Sequence, residues 1–368
     1  MSAPRNVPIR AVDNSAPDIA TCQRLTVTPA EPADLVLGPA TRLLWRSPDA
    51  VHLELGSHAV IVEGLPPQLV SHVATQLPPD GVPAVDPGAR HALTSLADAG
   101  YLWPRPTDPD DCRLAPPAPR LAGELTALAA RHGERAAELL SARRHSSVVV
   151  HGSGRTGAHL AALLAAAGVG RVHCVTNGSV RLFHATPGGV EPGDEGLDLM
   201  HASEAAIARA APEADTTPLA VGEQPDLTIL AIDAPIDDDR RGALHAAGAA
   251  HLAVVLGTDH GVIGPLVLPG LTSCLRCADL HRRDRDPAWT ALAVQLTVAR
   301  RHGPESDVAV ATVVVGAAAL QALAFLDGGE PACIDGTLEL HQPDWRLRRR
   351  SWPPHPDCDC VPIRDRPV

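Results

Sequence analysis

The stretch Ser147-Val-Val-Val-His-Gly-Ser-Gly-Arg-Thr-Gly157, continued by the alanine- and leucine-rich run Ala158 to Ala167, constrains the fold more than any other part of the chain. The β-branched run reads as a buried parallel strand, Gly152, Gly154 and Gly157 as a tight turn, and the alanine-rich run as a helix that stops at Gly168. Strand, glycine turn and helix in that order form the nucleotide-binding fingerprint. Its glycines let backbone N–H groups approach a phosphate at a helix N-terminus. A tight strand-to-helix turn that holds no nucleotide has the same pattern, so the rest of the chain must decide between them.

Composition narrows the choice. A chain of 368 residues has room for two or three domains, and with aromatics at 2% its core must be built from Ala, Val and Leu. Every basic residue is an arginine and lysine is absent, which excludes any mechanism that needs an active-site lysine. A net charge of −12 argues against general affinity for nucleic acid or anionic membranes. No apolar run reaches about 18 residues without a charge or a turn signal, so no membrane span is expected. The N-terminus lacks a basic start followed by an apolar stretch and does not read as a secretory signal. Eight cysteines without such a signal point to a reducing, cytoplasmic setting, where clustered thiols are metal ligands more often than disulfides.

Residues 1–33 are polar, rich in Pro, Ala and Asp, and expected to be disordered. Residues 34–105 read as a small winged-helix-like domain. Its strands are Thr41 to Trp45, Val51 to Leu55 and Ala59 to Val62, and its helices Pro66 to Gln76 and Pro87 to Ala99. With Arg42, Arg46 and Arg90 as its only basic residues between Thr41 and Trp103, it suits peptide docking better than DNA binding. The edge near Ala59 to Val62 is where an extended peptide would pair. A proline-rich linker covers 106–120, and a helical stretch from Leu121 to Arg144 leads into the body, 121–368. There strands and helices alternate, which predicts a mostly parallel α/β sheet. Arg346 to Arg350 reads as a solvated strand face.

Cys274-Leu-Arg-Cys277 and Cys358-Asp-Cys360 are two close thiol pairs in one chain. Such pairs converge on a tetrahedral set of four thiolates suited to zinc, and four protein ligands make the site structural. His355 could replace one thiolate. Cys174 and Cys333 read as core residues, and Cys22 and Cys112 have no partners of this kind.

A glycine turn opening an α/β sheet, a strand Leu227 to Asp233 ending in a carboxylate, a C-x-x-C and a late cysteine pair together resemble the ThiF/MoeB family, relatives of ubiquitin-activating enzymes. The segment Gly264 to Cys277 with Asp284-Arg-Asp-Pro-Ala-Trp289 is similar to the ThiF-like branch that serves azole- and azoline-forming peptide biosynthesis. The resemblance implies a Rossmann-like sheet with a structural zinc and a leader-binding winged-helix-like domain. It further implies a homodimer, a peptide or small carrier protein as partner, and a partner modification enzyme. It places Gly152, Gly154 and Gly157 at ATP phosphates and Asp233 at magnesium. Against that pattern, Thr176-Asn177-Gly178 stands where a ribose-binding Asp-x-Asp is expected, and Arg181-Leu-Phe-His-Ala-Thr186 replaces an Asn- and Arg-bearing segment. Arg155 replaces a glycine, and the family's catalytic lysine has no counterpart. Removing one charged stabiliser costs on the order of 10²–10³ in rate, so the expectation is a degenerate, non-adenylating scaffold. The alternative is a working ATP-dependent adenylyltransferase with a rearranged arginine set. A nicotinamide dehydrogenase fits worst, since no ribose-binding acid follows the glycines at the usual distance.

Overall fold

The computed structural model describes residues 9–12, 35–55, 58–63, 94–104, 118–152, 154–231, 238–299 and 306–360. They belong to two compact units, 1–141 and 142–368.

In the first unit the described strands are β1 (Ile9–Val12), β2 (Leu35–Leu37), β3 (Thr41–Ser47), β4 (Ala50–Leu55), β5 (His58–Glu63) and β6 (Leu102–Pro104). β3, β4 and β5 are an antiparallel meander; the Ser47 hydroxyl bonds the Asp49 carboxylate (2.6 Å) in its first turn. Val51, Leu53 and Val62 are buried while much of β3 faces solvent, the usual one-sided covering of an antiparallel sheet. β1 extends this sheet to the order β1-β5-β4-β3, so four residues of the segment expected to be disordered are a paired strand. β2 and β6 form a separate pair. The winged-helix arrangement is not shown: of the two helices it needs, only helical residues 94–98 are described, and 66–76 lies outside the described residues, as does 106–117 of the linker.

The stretch expected to be helical from Leu121 onward is two helices, α1 (Ala122–His132) and α2 (Ala136–His145). They are parted at Gly133, whose φ of 58° ends α1 in the left-handed region that favours glycine. Leu121, Leu125, Leu128 and Leu140 pack with Trp103, so these helices contribute to the first unit's core. The boundary between units falls after Ser141, later than the expected start of the body at 121.

The second unit contains β7 (Ser147–Gly152), α3 (Gly157–Ala166), β8 (Arg171–Val175), α4 (Leu199–Ala210), β9 (Leu227–Ala231), α5 (Asp238–Ala246), β10 (His251–Leu256) and β11 (His260–Val267). It continues with α6 (Leu275–Arg285), α7 (Trp289–Ala299), α8 (Val308–Leu326), β12 (Gly336–His341) and β13 (Leu347–Ser351). The seven strands run in the order β13-β12-β11-β10-β9-β7-β8. β8, β7, β9 and β10 are parallel, whereas β11, β12 and β13 join antiparallel, which leaves β12 in the direction of the parallel set. The expected mostly parallel α/β sheet is thus present. From β7 the chain goes to β8 on one side and then crosses to β9 on the other. That reversal opens a crevice at the carboxyl ends of β7 and β9, the place where open α/β sheets hold ligands.

Aliphatic packing fills this unit: Val148, Val150, Leu160, Leu164, Ile229, Leu252 and Val314 are among its buried residues, and Cys174 and Cys333 are core residues as expected. α8 corrects one expectation. It is a helix long and apolar enough to cross a membrane, running unbroken through Gly316. One glycine costs a helix roughly 1 kcal/mol, too little to interrupt a segment whose Val310, Val314, Val315, Ala318 and Ala322 are buried in the sheet core. Its packing is that of a core helix. β13 is exposed throughout, with Arg348 paired to Asp344 and Arg350 to Glu339, a solvated face as read from the sequence.

Candidate nucleotide crevice and metal centre

Gly152 ends β7 and lies opposite Ala231, the last residue of β9, so the glycine turn opens at the switch point. Each glycine has a separate cause. A Cβ on Gly152 would lie 2.4 Å from the Gly157 Cα, and one on Gly157 would lie 2.7 Å from the Gly152 carbonyl carbon. Strand end and helix start therefore touch backbone to backbone. Gly154 between them has φ +59°. The three predicted glycines are brought together; Asp233 lies outside the described residues.

Arginines surround this turn. Arg155 donates from Nε to the Phe183 carbonyl (2.6 Å) and from an Nη to the Ser306 carbonyl (2.9 Å), fastening the turn to the 182–184 segment and to the residue before the α8 cap. Burial, then the charges of Arg181 and Arg155, hold His184 below its ordinary value. At the end of β7, burial first and then Arg240 and His173 push His151 down to about 4, so its imidazole is neutral near pH 7. Guanidinium groups beside a glycine turn attract an anionic group. The end of β8, by contrast, carries Val175, Thr176 and Asn177, hydroxyl and amide chemistry where a ribose-binding acid would stand.

The four predicted cysteines form the second constellation. Cys274 begins α6 and Cys277 lies one turn on, while Cys358 and Cys360 come from the chain after β13. Their sulfurs lie within 4.8 Å of one another, with contacts of 3.9 Å (Cys274–Cys277), 3.6 Å (Cys274–Cys358) and 3.3 Å (Cys277–Cys360). Four sulfurs about 2.3 Å from a tetrahedral ion are about 3.8 Å apart, so the group is close to the size that such an ion requires. Hydrogen bonds from Cys274, Cys360 and the His355 N–H draw Cys277 well below the usual thiol range, while bonding to Cys277 pushes Cys274 up to about 12. Crowded thiolates repel, and a bound cation is what lets all four ionise. Cys274, the least buried of the four, borders a cavity of about 510 Å³ lined also by Arg241, His245 and His251.

His355 is not a ligand in this arrangement. Its Nε2 pairs with the Asp284 carboxylate (2.7 Å), its Nδ1 accepts from the Asp357 N–H (3.0 Å), and its own N–H donates to the Cys277 sulfur (3.3 Å). It orients a ligand from behind, as supporting residues around metal sites do. Sequence spacing brought it near the cysteines without telling ligand from support. Arg155 stood out in the sequence as a cation in the glycine turn, but its contacts did not, since they link positions 28 and 151 residues away.

No protein-family model matches the chain, and no curated protein matches it by sequence. Solved structures do. E. coli MccB with ATP is 14% identical and superposes with a TM-score of 0.64 over 89% of this chain and 99% of that one. The microcin C7 biosynthetic enzyme MccB in complex with N-formylated MccA is 14% identical, with a TM-score of 0.61 over 89% and 99%. PaaA is 14% identical, with a TM-score of 0.62 over 85% and 98%. At such identity the likeness shows the fold: this chain and those proteins share it.

Proposed function

We propose that this chain is a ThiF/MoeB-type protein that binds a precursor peptide or small carrier protein and presents it to a modification enzyme, its own adenylation site having degenerated. The observation that carries the reading is the state of the crevice. The glycine turn keeps the close backbone approach of Gly152 and Gly157, but Thr176 and Asn177 follow β8 and the chain contains no lysine. Phosphoryl and adenylyl chemistry is positioning plus stabilisation of developing charge, and these are the groups missing. The shared fold supports the peptide half of the reading. MccB is a biosynthetic enzyme crystallised with the peptide MccA, and coverage of 89% exceeds what residues 142–368 alone would supply. In this reading the cysteine centre holds zinc and ties the tail to α6, the first unit supplies the docking surface, and the protein is a cytoplasmic homodimer.

A working adenylyltransferase is the second reading, favoured by one observation: Arg155 and Arg181 converge on His184 beside the glycine turn. Arginine supplies charge there, though not the compact point charge of a lysine. Calorimetric titration with ATP and Mg²⁺, then pyrophosphate exchange in the presence of candidate precursor peptides, separates the two. The scaffold reading expects full-length protein to capture a peptide without exchange; peptide-dependent exchange establishes the enzyme instead.

A further inference from the structure

The edge of β5 is the place where the sequence pointed to an extended peptide, and in the structure it is taken. β1 pairs antiparallel with it: Ile9 opposite Val62, Arg10 opposite Ile61, Ala11 opposite Val60 and Val12 opposite Ala59. This pairing is not a consequence of chain order. β1 skips β2, which pairs with β6, and β3 and β4, and lies against the last strand of the meander. Residues 13–34 separate it from β2, a connection of 22 residues that can span many times the width of a strand pair. β1 is four residues long against six in β5, so the ladder is short and stands at an edge.

We propose that Ile9–Val12 is an internal stand-in for the partner peptide: a tethered strand that fills the docking edge of β5 and is displaced when an extended peptide pairs there. The inference rests on the peptide-docking reading above and adds its regulation. The edge on offer, Ala59-Val-Ile-Val62, is wholly aliphatic and closed by Glu63, so the displacing peptide is an extended segment with aliphatic side chains along its length. Main-chain pairing gives any such segment some affinity. A strand carried on the same chain competes as an intramolecular partner, at an effective concentration of order millimolar. Weak, indiscriminate strands are thereby turned away, and an aliphatic edge that would otherwise invite self-pairing stays covered.

The test uses a fluorescent synthetic peptide of this chain's own residues 5–16 as probe, with anisotropy as readout. Against the full chain the probe must compete with β1; against a chain lacking residues 1–13 it does not, and its affinity rises at least tenfold. An R10P/A11P double variant of the full chain behaves like the truncated one. In an antiparallel ladder the N–H groups facing the partner alternate, so two successive prolines remove one of them in either phase. Equal affinity for full and truncated chains overturns the proposal, as does a truncated chain that is folded by circular dichroism and does not bind the probe. If truncation and the double variant both unfold the first unit, β1 is an integral strand and the proposal falls. Failure of the docking reading itself looks different: full-length protein then captures no candidate precursor peptide, whatever the ratio of probe affinities.

Discussion

Gly152 and Gly157 illustrate how a single atom decides local structure. A methyl group at position 152 would meet the Gly157 Cα at 2.4 Å, and neither backbone can yield without parting β7 from α3. Gly152→Ala is expected to cost about 1–3 kcal/mol in denaturant unfolding, the range for overpacking. Gly193→Ala, with nothing within 4 Å and no positive φ, is expected to stay within about 0.5 kcal/mol. Equal effects at the two positions would refute the backbone-contact explanation. Arg143 makes the converse point. Fully buried, it grips Asp327 through two 2.7 Å bonds and donates a third to the Ala167 carbonyl. Arg143→Ala leaves the Asp327 carboxylate buried without its counter-charge, and a loss of about 3–5 kcal/mol is expected. The double change Arg143→Met, Asp327→Leu should recover much of that, read by the same unfolding curves. The glycines were legible because the fingerprint is local. Arg143 and Asp327 are 184 positions apart and nothing in the sequence links them.

At the scale of elements, what was legible followed hydrophobic period and punctuation. β7 and β9 stand close to where their apolar runs place them, because a buried strand is written in its own residues. Errors came where one residue has two meanings. Gly133 ends α1 inside a stretch expected to be one helix, whereas Gly316 lies within α8, whose Val314, Val315, Ala318 and Ala319 pack in the sheet core. β1 was missed because a four-residue strand acquires its hydrogen bonds from a partner about 50 positions away. The cluster of four cysteines that could hold a metal was legible, since close cysteine pairs are a spacing signal, whereas the neighbouring pair of His355 and Asp284 required the fold. The expected content is one zinc per chain. A Cys274→Ser, Cys358→Ser double variant should lose it in elemental analysis and unfold more easily, because the tail after β13 is then released from α6. Retention of the metal in that variant would refute the assignment. His355→Ala is expected to weaken zinc binding about 10–100-fold without abolishing it, measured by competition with a chelator, since its role is to orient and not to ligate.

For the whole molecule, the order of strands and helices after Ser147 gave the sheet's class, while the boundary between units did not follow from it. Trp103 recruits the leucines of α1 and α2, and a linker's composition carries no information about which core its neighbours join. Assembly is the remaining question at this scale, and α8 bears on it. The helix has no charged residue from Val308 to Leu326, yet only one of its faces is in the core. Val313 is 50% and Leu320 60% exposed, and Ala309 and Thr312 on the same side are exposed as well. A helix face left to water is normally charged, and a continuous apolar one marks a contact surface. A two-fold interface needs only this patch, met by itself on a second copy. Sedimentation at micromolar concentration is therefore expected to give about twice the chain mass of 38.4 kDa. A Val313→Glu, Leu320→Glu variant should sediment as a monomer, with the wild-type circular dichroism spectrum, because both side chains point away from the core and the new carboxylates meet each other across the axis. A wild-type chain that sediments as a monomer would refute self-assembly through α8. A variant that remains dimeric would place the interface elsewhere on the chain.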